Sequence, residues 1–79
     1  MNIFWCHEKN ENYGLFVKAS TRGRAKAIFS AEIECDITDV RTNIMRRGIN
    51  EHFDGVIDLG DPILKRCGLE YSEDEDYDR

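Results

Sequence analysis

A chain of 79 residues with 11 Lys and Arg against 16 Asp and Glu, a formal charge of −5, has room for one domain and not two. That balance excludes a generally basic nucleic-acid coat. A domain of this size buries only about 60% of its unfolded surface, which leaves little free energy for a deep catalytic cleft. The acidity is also local: residues 70–79 hold six acids and one base, while the preceding 69 residues balance ten against ten.

Residues 3–8 are dominated by apolar and aromatic side chains, and Phe4 and Trp5 fall on opposite faces of any extended segment, which predicts a first strand. The polar, Asn-rich stretch 9–14 closes on Gly14 and predicts a hairpin connection longer than two residues. A second strand follows over 15–19, with Leu15, Val17 and Ala19 on one face, paired antiparallel with the first. Ser20 or Thr21 supplies an N-cap oxygen, and Ala25, Ile28 and Phe29 share one helical stripe, so a helix is expected over about 21–32. Arg22, Arg24 and Lys26 sit at its start, the wrong end for cations beside a helix dipole.

Residues 37–46 alternate again, with Val40, Thr42 and Ile44 on one side and Arg41, Asn43 and Met45 on the other, a third and half-buried strand. Residues 49–60 lack a sustained period and are expected to form a loop, with at most one short extended piece at Val56 and Ile57. Asp61 followed by Pro62 is a strong helix start, because the carboxylate accepts from free amides and Pro loses no bond it would have made. Ile63, Leu64 and Cys67 then form an apolar face, and Gly68 stands where a left-handed stop belongs, giving a short second helix over 62–67.

The pattern predicts an α+β domain over residues 1–71 in the order β-β-α-β-loop-α, a small antiparallel sheet with helix packed on one face. Residues 72–79 form an acidic C-terminal tail in which serial like charges resist ordering.

Catalytic and metal chemistry find little footing. Cys6, Cys35 and Cys67 stand far apart without a C-x-x-C pair, and adjacent Cys6 and His7 point to opposite faces of a strand, so they do not readily chelate one ion. No cysteine opens a helix, most acids lie in turns or the tail, and neither phosphate-binding glycine motif is present. A non-enzymatic protein without cofactor or metal is the expectation. Free thiols in odd number, an N-terminus without a basic region ahead of its short apolar run, and no apolar stretch of about 18 residues predict a cytoplasmic, non-membrane protein.

Three surfaces are candidates for binding. Arg22, Arg24 and Lys26 from the first helix would join Arg41, Arg46 and Arg47 from the third strand in a phosphate-binding patch if the helix start lies near an end of that strand. Against this, Glu32, Glu34, Asp36 and Asp39 are close enough to neutralise them, and the acidic tail would shield the patch by folding back. The hairpin holds the aromatics Phe4, Trp5, Tyr13 and Phe16, and a sheet covered by helices on one side leaves some of Phe4, Phe16 and Met45 on the other, an exposed face for self-association or a protein partner unless the 49–60 loop and the short helix cover it. The tail, with Tyr71 and Tyr77, would imitate a nucleic-acid phosphate line, dock on a basic partner or serve only solubility.

Ala25-Lys26-Ala27, the segment 37–41 (ITDVR) and the segment 61–69 (DPILKRCGL), followed by an acidic end, resemble small proteins encoded by phages and integrative elements of Gram-positive bacteria. In those, a hairpin precedes an SRAKA-like helix and a DIR-like strand. The likeness runs over most of the chain through short motifs; Cys67 replaces an expected aliphatic residue, and Trp5-Cys6-His7 departs from the pattern. It implies a mobile-element origin, where small acidic proteins act as accessory factors or inhibitors of host machinery, and it carries over no activity, cofactor or catalytic residue. The function expected is a non-enzymatic protein-interaction module with a protein partner or a two-fold homodimer. The alternative is a nucleic-acid-binding accessory protein that uses the Arg and Lys patch.

Overall fold

A computed structural model describes residues 1–69. The chain runs through β1 (Asn2–Glu8), β2 (Gly14–Ala19), α1 (Arg22–Ile33), a 3₁₀ turn (Ile37–Asp39), β3 (Val40–Arg46), β4 (Gly55–Ile57) and α2 (Pro62–Arg66). All strand pairs are antiparallel, and the sheet order is β3-β1-β2-β4. The predicted α+β class is the one the chain adopts. Tyr71 and the acidic segment 72–79 lie outside the described residues.

Register assigns every strand residue to a face. Phe4 stands opposite Val17 and Ile44, and these pack with Cys6, Ala19 and Val40 under Ala25 and Phe29 of α1. Trp5 stands opposite Phe16, which faces Ile57, and that side packs with Ile3 against Ile63 and Leu64 of α2. The α1 face is the one the alternation of Leu15, Val17 and Ala19 predicts. The opposite face is closed by α2, helped by Ile49, Cys67 and Leu69.

Local chemistry sets the element ends. The Thr21 hydroxyl accepts from the Arg24 amide at 3.1 Å to start α1. An Asp61 carboxylate oxygen accepts from the Ile63 amide at 3.0 Å to start α2, and Gly68 follows in the left-handed region at φ 73. The third strand begins at Val40 rather than at residue 37, because Asp36 accepts from the Thr38 amide and hydroxyl at 2.9 and 2.8 Å and winds the segment into a 3₁₀ turn. These two bonds hold the Asp36 carboxyl below its ordinary pKa. Near its end β3 departs from simple alternation: the register shifts between Ile3 and Phe4, leaving Met45 between Ile44 and Arg46. This bulge turns Arg46 toward the α2 side, where strict alternation would have pointed it to α1.

Gly14 is required for space rather than for backbone freedom. A Cβ there would fall 2.7 Å from Trp5 Cζ2 and 2.9 Å from Cε2, and would also strike the Cys6 carbonyl. The indole therefore lies across bare backbone, two residues along β2 from its partner Phe16, whose ring it meets edge-on at 4.8 Å and 63°. Gly14→Ala is expected to destabilise the fold by about 1–3 kcal/mol in urea titrations followed by circular dichroism. Gly23→Ala, in the first turn of α1 with nothing within 4 Å, is expected to be neutral or to stabilise by up to about 1 kcal/mol in the same assay.

Candidate functional site

Phe4 and Phe16 do not form an exposed face. Phe4 is 2% exposed beneath α1 and Phe16 is 6% exposed beneath α2, on opposite sides of the sheet. The dimer surface expected from them is thus occupied within the chain, and the alternative in which the short helix covers it is what the fold adopts. Met45 remains exposed at the bulge.

The basic residues do not gather into one patch either. Arg22 leans from α1 over the sheet: its Nη1 donates to the Thr42 carbonyl at 2.9 Å and to the Thr42 hydroxyl at 2.6 Å, and its guanidinium carbon lies 5.7 Å from the Phe4 ring centroid. Arg24 reaches the other way and forks onto Asp54, with Nε to Oδ2 at 2.8 Å and Nη2 to Oδ1 at 3.4 Å. That hydrogen-bonded pairing pulls the Asp54 carboxyl below its ordinary pKa. The two cations oppose the α1 dipole because each clamps a neighbouring element. Arg41 folds onto the backbone carbonyls of Thr38 and Val40 at 3.0 and 3.2 Å, and Lys26 is half-buried on α1.

Arg46 and Arg47 are exposed. They border a hollow of about 290 Å³ with Arg66 of α2, over a floor that includes Ile63 and Cys67. Among the described residues none of the three arginines has a carboxylate within ion-pair distance. The carboxylate in the wall, Glu51, is held by Lys18 at 2.9 Å. Arg66 went unrecognised in the sequence; its signal was its place on the polar side of the short helix, beside Ile63, Leu64 and Cys67.

A second groove, also unmarked in the sequence, runs between α1 and β4. Two adjoining hollows of about 430 and 400 Å³ share Glu32 and Val56 as walls. Ala27, Ile28 and Ala31 line one, while Tyr13, Ile33 and Leu59 line the other. Phe53 and Leu59 flank β4 in sequence and are 80% and 53% exposed, and Tyr13 is 66% exposed. The scattered apolar residues of the 49–60 stretch, without a period that would bury them, were the available signal. Among the described residues, Glu32 and Asp58 on this rim have no ion-pair partner.

Two of the three thiols, Cys6 and Cys35, hold their protons more tightly than a free cysteine. Burial pushes the Cys6 thiol up to about 11, with nearby Arg22 only partly offsetting it, and burial together with Glu8 also raises Cys35. The folded state holds the Cys6 proton more tightly than the unfolded chain. Its stabilising contribution is therefore whole below about pH 9 and declines as pH climbs toward 11. Among the described residues no three His, Cys, Asp or Glu come together to hold a metal ion, and no helix is long and apolar enough to cross a membrane. Comparison with protein-family models, curated proteins and solved structures finds no match. In native protein at neutral pH, Cys6 is expected to resist a thiol reagent that labels half-buried Cys35 and Cys67 first, as peptide mapping by mass spectrometry would register.

Proposed function

We propose that this chain is a non-enzymatic protein-interaction module that takes an extended segment of a partner protein along β4 and into the α1–β4 groove. The observation that carries this reading is that Tyr13 and Leu59, two of the three most exposed large apolar side chains of the described residues, line that groove. β4 is an outer strand of only three residues, so among the described residues one side of its backbone has no strand neighbour. An added strand would satisfy those groups and send alternate side chains between Val56 and the small residues Ala27 and Ala31. The other outer strand, β3, is guarded by its bulge and by Arg22 on Thr42. Glu32 and Asp58 favour a partner segment that carries a basic residue among its apolar ones.

The three free thiols support a cytoplasmic setting. An accessory or inhibitory role in a mobile element, as the resemblance implies, belongs to the same proposal.

Selection of displayed random peptides against the full chain tests it. Selected peptides are expected to alternate apolar residues around a Lys or Arg. They should lose about tenfold or more in affinity toward Ala31→Glu or Leu59→Asp, and keep it toward Arg46→Ala. Peptides that bind Ala31→Glu and Leu59→Asp as tightly as wild type would exclude the groove.

A further inference from the structure

We infer that the hollow bordered by Arg46, Arg47 and Arg66 is an anion site whose resident ligand is the acidic segment of the same chain, residues 70–78. This stands independently of the α1–β4 groove.

Arg46 at the end of β3, Arg47 just after it and Arg66 of α2 all line the hollow, and the acidic side chain in its wall is already engaged by Lys18 at 2.9 Å. The site is built rather than incidental. The Gly48 amide donates to Asn2 Oδ1 at 3.0 Å and the Ile49 amide to the Met1 carbonyl at 2.8 Å, fixing the loop that follows Arg47. The bulge in β3 is what delivers Arg46 to this side of the sheet.

Two features point to the occupant. The first is charge: residues 1–69 hold as many acids as bases, so the whole excess of −5 lies in the ten residues that follow, six of which are carboxylates. The second is place. The Leu69 amide donates to the Leu64 carbonyl at 2.7 Å, and Leu69 packs with the α2 cluster, so the chain leaves the described body three residues past Arg66. Ten further residues reach about 30 Å when extended, more than the hollow needs. A tether this short keeps the ligand at an effective concentration of roughly millimolar, so several individually weak exposed ion pairs suffice. External polyanions, nucleic acid included, then meet a groove that is already filled.

The test uses the full chain and a variant whose six tail acids are neutralised: Glu70→Gln, Glu73→Gln, Asp74→Asn, Glu75→Gln, Asp76→Asn and Asp78→Asn. The amide resonances of Arg46, Arg47, Gly48 and Arg66 are expected to differ between the two proteins, and the same amides of wild type should move on raising salt. A labelled oligothymidylate at low salt is expected to bind the neutralised chain about tenfold or more tighter than wild type. Adding Arg46→Ala, Arg47→Ala and Arg66→Ala to the neutralised chain should abolish that gain. Groove amides indifferent to both salt and neutralisation would overturn the inference. So would equal oligothymidylate affinity for the native and neutralised chains, which would mark the hollow as an open nucleic-acid site.

Discussion

β1 sends large apolar side chains to both faces of the sheet, with Phe4 and Cys6 to one and Ile3 and Trp5 to the other. A two-layer body would leave one set in water, at a cost of about 1.5–3 kcal/mol for each large side chain left unburied. The chain answers with three thin layers, and the third is supplied by a helix of only five residues whose Ile63 and Leu64 do the covering. The largest buried side chains serve this double closure, and hollows lie where one layer meets the next. Both candidate surfaces, the α1–β4 groove and the arginine hollow beside α2, lie at such boundaries.

Most of the elements were legible in the sequence because local chemistry announces them. The Thr21 and Asp61 caps, Pro62, Gly68 and the alternation in β1 and β2 each act within a few residues. What escaped was set at longer range. Residues 37–39 have strand composition, yet the Asp36 cap wins over alternation and winds them into a turn. The bulge depends on how β3 meets β1, which no window on β3 alone contains, and it moves Arg46 to the other face. The covering of Phe16 depends on where a short helix seats after a twelve-residue stretch without a period. For that reason Phe16 was legible as a large apolar group but not as core.

The arginines show the same division. Sequence proximity groups Arg22, Arg24 and Lys26, but the helix start points its first two cations in different directions, one onto the Thr42 carbonyl and one onto Asp54. Each joins α1 to a separate part of the sheet, which accounts for positive charge where the helix dipole disfavours it. Arg46, Arg47 and Arg66, which make no ion pair among the described residues, are brought together by tertiary packing, and Arg66 comes from the far end of the chain. A contiguous basic run was a poor guide to a basic site here.

The indole of Trp5, lodged over the bare backbone of Gly14 and against the edge of Phe16, belongs to the layer that α2 closes. It is the sole tryptophan of the chain. Its intrinsic fluorescence is consequently a label-free reporter of that one layer: loosening of the α2 side changes the solvent around the emitting ring, while rearrangement confined to the α1 side leaves its immediate surroundings in place.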